Sequence, residues 1–230
     1  MSRPGHVVNL GLVPYGEAWE LQRSVAAAVG DGAIRDTVLF LEHPPTITLG
    51  RRTEDGELHV PDDAEVEIVE TDRGGKSTYH GPGQLVCYPI FDLTRHGQDV
   101  KRYCRDLEEA LIRTLAPLGI DATRIEGLTG IWVESPPRKI ASIGIHVSKW
   151  VTTHGYALNV DLDLAPFTQW ITACGLEDAA FTTIARELGR PVSVDEVRPH
   201  AIAALEQVFD LELLEVGQPP LAVGDAGRSR

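Results

Sequence analysis

Apolar residues fall into short runs separated by polar breaks, and their spacing predicts the elements of the chain. Residues 7–13 form a compact apolar strand. Tyr15, Ala18, Trp19, Val25, Ala26 and Val29 recur at helical spacing, which predicts a helix over 15–29 that Gly30 stops. Strands are predicted over 37–41, closed by His43-Pro44-Pro45, and over 46–49. Residues 51–63 are polar and read as a loop. Val66, Ile68 and Val69 mark another strand, and 84–90 a further one. The clearest helix spans 99–118, where Val100, Tyr103, Cys104, Leu107, Leu111, Leu115 and Leu118 form an apolar stripe. Strands follow over 131–134, 139–147 and 152–162. Helices resume over 182–188 and again from Ser193, where Ser193-Val194-Asp195-Glu196 fits a capping box leading through Val197, Ile202, Leu205 and Val208.

Consecutive strands mixed with a few helices describe an α/β (α+β) chain rather than a regular βαβ series. No internal repeat or linker interrupts residues 1–216, which read as one domain. Residues 217–230 contain Pro and Gly with little to bury and read as a mobile tail. At 230 residues with 43% apolar content, the chain can bury a core without staples. Three cysteines, Cys87, Cys104 and Cys174, lack CxxC spacing, so no disulfide framework and no zinc site is expected. The thiols read as reduced and cytoplasmic. No signal peptide and no apolar run of membrane-spanning length is visible. The formal charge of -13 argues against a general nucleic-acid binder.

Candidate chemistry concentrates in three segments and one cysteine. The first is TDRGGKSTYHGPGQLVCY over 71–88, with four glycines beside Arg73, Lys76, Thr78, Tyr79, His80 and Gln84. Its GGKST invites a phosphate-loop reading, but Glu70 stands where that motif needs glycine, and a strand follows where it needs a helix. A glycine-rich loop crowded with hydrogen-bonding side chains suits close backbone approach to a ligand. The second is RKIASIGIHV over 138–147. Counting by two places Lys139 on the same face as Ala141, Ile143, Ile145 and Val147, where it either snorkels from the strand end or is a partly desolvated lysine with a tuned pKa. Ser142 and Gly144 on the other face leave room for a ligand chain. The third is TTHGYALNVD over 152–161, where His154 and Asn159 interrupt a strand. His146 and His154 alone are a weak basis for a metal site. Cys87 and Cys104 read as small core residues. Cys174, beside Gly175 in an irregular stretch, is free to meet substrate, and a cation is needed to lower its pKa.

RGGKSTYHGPGQLVCYP, RKIASIGIHVS, THGYALNVDLDL and ACGLEDAAFTTI resemble the four blocks of lipoyl(octanoyl) transferases, in the same order and at similar separations. EHPP followed by TITLGRR is similar to that family's N-terminal block. The resemblance covers roughly residues 10–211. It implies a biotin/lipoate protein ligase catalytic-domain-like fold, a mixed β-sheet flanked by helices. It also implies transfer of an octanoyl group from octanoyl-acyl carrier protein to a lysine of lipoyl domains, those of 2-oxoacid dehydrogenase subunits and the glycine cleavage H protein. Residue by residue, Cys174 matches the acyl-thioester nucleophile and Lys139 the lysine that lowers its pKa. The acyl site is matched by Arg73, Gly74, Gly75, Lys76, Ser77, Thr78, Tyr79 and His80, by Ser142, Ile143 and Gly144, and by Gly155, Tyr156 and Ala157 with His154 alongside. No metal and no cofactor is implied, nor a nucleic acid or membrane partner, and a monomer is expected.

Three alternatives stand beside this reading. They are an ATP-dependent lipoate or biotin ligase, which needs no cysteine, a non-catalytic module that binds lipoyl domains, and a cysteine hydrolase with His80 or His154 as base. Acyl carrier proteins are acidic, so the overall charge opposes their encounter with this chain. Arg51, Arg52, Arg73, Lys76 and Arg138 are therefore expected to form a basic collar around the entrance.

Overall fold

The computed structural model describes residues 2–171 and 180–221. Eleven strands and five α-helices are assigned among these residues. A large sheet has the strand order β11-β1-β2-β6-β10-β9-β8-β7. Its members are β1 (Arg3–Leu12), β2 (Thr37–Glu42), β6 (Gln84–Ile90), β7 (Ala122–Ile125), β8 (Leu128–Val133), β9 (Arg138–Ser148), β10 (Val151–Asn159) and β11 (Leu211–Glu215). β1 runs parallel to both β11 and β2, and the remaining pairs are antiparallel, so the sheet is mixed as expected. A small sheet, β4-β3-β5, holds β3 (Thr46–Leu49), β4 (Glu67–Glu70) and β5 (Thr78–His80).

The central strands are covered on both faces, which is why they read as unbroken apolar runs rather than alternating ones. In β2, Val38 and Phe40 face one core while Leu39 and Leu41 face another. The first core lies under α2 (Val100–Leu115) and α5 (Val194–Phe209). The second lies under α1 (Tyr15–Gly30). A third cluster, with Ile47, Tyr79, Phe167 and Phe181, joins the small sheet to α3 (Ala165–Gln169). The short α4 (Ile184–Leu188) follows β10 and α3 in the chain.

Several boundaries differ from the sequence reading for local reasons. α1 includes Gly30, and the left-handed residue that turns the chain away is Gly32, at φ 70°. The helix predicted over 99–118 starts at the Asp99 cap, whose carboxylate accepts from the Lys101 and Arg102 amides, and tightens into a 3-10 turn at Ala116–Leu118. Val100 and Cys104 do not share the full burial of Leu107, Leu111 and Leu115. Ser193 caps α5 through the Glu196 amide, but the Glu196 carboxylate turns to Arg190, so only half of the capping box forms. No helix among the described residues is long and apolar enough to cross a membrane.

Candidate active site

A cavity of about 690 Å³ opens where the small sheet meets β9 and β10 of the large one. Nearly all the residues singled out in sequence converge on it. Arg73, Gly74, Gly75, Lys76, Ser77, Thr78 and His80 line one side. Ser142, Ile143, Gly144, His154, Gly155, Tyr156 and Ala157 line another, with Lys139. Tyr79 is the exception. Strand alternation in β5 sends Thr78 and His80 to the cavity and Tyr79 to the opposite face, where its ring meets Phe167 and Trp170 edge-on.

Lys139 is 5% exposed, and its ammonium lies 5.5 Å from the centre of the Trp132 ring. The parity count that placed it on an apolar face fails here. Pairing between β8 and β9 slips from Ile131–Ala141 to Trp132–Lys139, so a bulge intervenes. Ile140 and Ala141, adjacent in sequence, consequently share one core. Gly130, at φ 114°, completes the pocket for the lysine stem, since a Cβ there would sit 2.6 Å from Lys139 Cε.

Cys174 lies outside the described residues, as does the tail beyond 221. The chain on either side of 172–179 is placed. Ile171 bridges to Leu58, and Phe181 bridges to Lys139. The Lys139 amide donates to Ala180 O at 2.8 Å, and the Thr182 amide donates to Lys139 O at 3.0 Å. Ala180, Phe181 and Thr182 thus lie directly on the Lys139 backbone.

Arg73 is 6% exposed and turned inward, not toward an incoming partner. Its Nε donates to Thr48 Oγ1 at 3.0 Å, and its Nη2 donates to Thr48 O at 2.6 Å. A buried polar chain continues from there. His80 Nε2 lies 3.4 Å from Thr48 Oγ1, and His80 Nδ1 donates to Gln84 Oε1 at 2.7 Å. Gln84 Nε2 donates to Asn159 Oδ1, and Asn159 Nδ2 donates to Thr182 O at 3.1 Å. Thus the glycine loop is connected by hydrogen bonds to the strand edge beside Lys139.

The remaining wall contains groups that the sequence did not mark. Tyr15 and Tyr88 line the cavity. The Tyr15 hydroxyl lies 3.2 Å from His154 Nδ1, and Tyr88 lies 2.8 Å from His43 Nε2. His154 Nε2 is 2.7 Å from Asp72 Oδ1, and His43 Nδ1 is 2.7 Å from Val13 O. Because a carboxylate and a carbonyl accept only, each imidazole donates there and takes its tyrosine proton at the other nitrogen. Burial pushes the pKa of His43 and of His154 down to about 4, so both are neutral at pH 7. Burial also pushes Tyr15 up to about 12. Burial works to raise the Asp72 carboxyl, but the hydrogen bond from His154, with the electrostatic influence of the neighbouring imidazoles, outweighs it and holds the pKa down. Tyr15 reads in sequence as one more member of the α1 stripe, and Asp72 lies inside the glycine-rich segment without standing out from it.

The expected basic collar is smaller than five residues. Lys76 is paired with Glu54 at 3.1 Å and Glu57 at 2.5 Å. Arg138 is held by Glu187 at 3.0 Å and lies off the cavity wall. Arg51 and Arg52 line the mouth and are exposed. His146 and His154 both turn to Asp72, and no group of three or more His, Cys, Asp and Glu among the described residues is arranged to hold a metal ion.

Solved structures share this architecture. A bipartite lipoate protein ligase from the archaeon Thermoplasma acidophilum superposes with a TM-score of 0.76 at 18% identity, over 95% of this chain and 88% of that one. Lipoate-protein ligase A bound with ATP superposes with a TM-score of 0.74 at 18% identity, over 94% and 90%. At such identities the likeness defines a fold, that of lipoate-attaching enzymes. Residues 14–206 match the lipoyl protein ligase A/B catalytic domain. An octanoyltransferase of Chloroflexus aggregans is 50% identical over 89% of this chain and 95% of its own length. One from Mycobacterium tuberculosis is 52% identical over 89% and 86%. The chain belongs to the lipoyl protein ligase A/B catalytic-domain family.

Proposed function

We propose that the protein is an octanoyltransferase of lipoate biosynthesis. The carrying observation is identity of 50–52% with octanoyltransferases over about nine-tenths of the chain. Octanoyl-acyl carrier protein is the donor, and a lysine of lipoyl domains, including the glycine cleavage H protein, is the acceptor. The catalytic unit is residues 1–216, a cytoplasmic monomer whose acidic carrier is met at Arg51 and Arg52.

The reaction has two halves. The Cys174 thiolate attacks the donor thioester carbonyl, forming octanoyl-Cys174 and releasing the carrier thiol, which takes a proton from the Lys139 ammonium. The acceptor amine then attacks octanoyl-Cys174, its proton passing to neutral Lys139, and the amide forms as Cys174 leaves as the thiolate, restoring the thiolate and the Lys139 ammonium. A cation near Cys174 is needed because a thiol of pKa about 8.5 is only a few per cent ionised at pH 7. Lys139 is supported in that role by its burial on the cavity wall and by its backbone contacts to both Ala180 and Thr182. Burying an alkyl chain in the cavity adds about 0.8 kcal/mol of binding per methylene. The thioester supplies the acyl activation, so no nucleotide is consumed.

Incubation with octanoyl-carrier is expected to add one octanoyl mass at Cys174. Cys174→Ser is expected to abolish transfer, and Lys139→Ala to slow it by about 10²–10⁴-fold. Undiminished transfer by either variant refutes the dyad. Product from free octanoate, ATP and magnesium would instead establish the ligase reading.

A further inference from the structure

We infer that Asp72 is a positioning residue that clasps the glycine loop onto the β9–β10 hairpin and so holds the small sheet against the large one across the cavity.

The loop from Asp72 to Lys76 is bound on two sides. On the small-sheet side, the Thr71 amide donates to Leu49 O, the Arg51 amide to Arg73 O and the Arg52 amide to Gly75 O, at 2.9–3.1 Å. These bonds follow the end of β3 and keep the loop with its own sheet. On the large-sheet side there are two attachments. The Gly74 amide donates to Ile145 O at 2.9 Å. Asp72 receives His154 Nε2 at 2.7 Å on one carboxylate oxygen, with His146 Nε2 3.6 Å from the other.

The fit between loop and hairpin is close. A Cβ at Gly144 would stand 3.0 Å from Gly74 O, and one at Gly50 would stand 2.4 Å from Gly75 O. The space that Ser142 and Gly144 were expected to leave for a ligand chain is, at Gly144, filled by Arg73 and Gly74 of this loop. His154 itself is held in an unusual backbone conformation, with φ 57° inside a strand. Its amide donates to Gln22 Oε1 of α1 at 2.6 Å, and its Nδ1 takes the Tyr15 hydroxyl. His154 is therefore braced from α1 at two points, its backbone by Gln22 and its ring by Tyr15, and Nε2 is directed toward Asp72. A braced donor meeting a loop carboxylate is a specific attachment. Arg73, one residue on, then enters the buried chain that leads to Thr182.

The expected consequence concerns cavity shape more than chemistry. Without the carboxylate, Arg73–Lys76 keeps its bonds to the small sheet but loses one of two anchors on the large sheet. The kinetic arm of the test rests on the octanoyltransferase reading, while the exchange arm does not. Hydrogen exchange at the Gly74 amide is expected to quicken about tenfold in Asp72→Ala, while amides of β6 and β10 keep their protection. In the same variant KM for the octanoyl donor is expected to rise about tenfold, with kcat within about threefold of wild type. Asp72→Asn retains an acceptor for His154 Nε2 and is expected to recover most of both losses. Unchanged Gly74 exchange in Asp72→Ala, or equal impairment of the Ala and Asn variants, overturns the clasp. If the wild-type protein transfers no octanoyl group, the functional reading falls, and Gly74 exchange still decides for or against the clasp.

Discussion

On the side of the large sheet covered by α2 and α5, the contacts are mainly apolar, with Phe40, Leu85, Leu107, Leu111 and Leu205 among the residues that fill it. On the side covered by α1, the packing is interrupted by Gln22, His43, His154 and two tyrosines, each turned to a specific partner. Both sides exclude water. The first can tolerate local repacking because dispersion and area burial are non-directional. The second cannot, because each buried polar group requires a partner at hydrogen-bond distance. The cavity opens beside the second side, where close glycines and paired polar groups hold its walls. One face of the sheet thus supplies stability and the other supplies geometry.

That contrast can be broken by substitutions on each side. Leu111→Ala, on the fully buried α2 stripe, is expected to cost about 2–5 kcal/mol in urea unfolding. The folded fraction should keep wild-type kcat/KM, and a loss of specific activity there would erase the division between the faces. Acidification tests the other side. His43 and His154 are held near pKa 4 when folded and return to about 6.5 when unfolded. The unfolded chain therefore takes up their protons first, so stability is full above about pH 6.5 and is lost as pH falls toward 4. Each histidine should cost about 2 kcal/mol between pH 6.5 and 5. His43→Gln is expected to flatten that slope, and an unaltered slope would remove His43 from its cause. The smallest effect is expected at Ser193→Ala, about 1 kcal/mol from loss of the cap on α5. Since α5 lies on the apolar face, KM should not move, and a KM change would show that the face contributes to the site after all.

The two faces also differed in how far they could be read in advance. α2 is legible because its apolar residues return every turn, and β3 and β6 because their runs are short and cleanly bounded. β7 and β11 escape notice because they are edge strands with few fully buried side chains, and α3 is too short to show a period. At the site, the glycine loop, Lys139 and the His154 strand were recognisable as blocks of unusual composition. Tyr79 was grouped with them by adjacency, although alternation in β5 turns it away from the cavity. Asp72 and Tyr15 were invisible, because His154, the group that gives them meaning, lies 82 and 139 positions away.

By itself the sequence determined the main elements through periodicity and, through the resemblance carried by its dense local motifs, the family, the mixed sheet and the segments that meet at the cavity. Tertiary structure alone decided which cations face outward. Of the five expected around the entrance, Arg73 is drawn inside to Thr48 and Lys76 and Arg138 are taken up by carboxylates, while Arg51 and Arg52 remain exposed at the mouth. It also decided the surroundings of Lys139, where a bulge overrides the simple count by two. The physical reason is the same in both cases. A charge or a strand register is settled by whichever partner lies within a few ångströms, and folding brings those partners from distant parts of the chain.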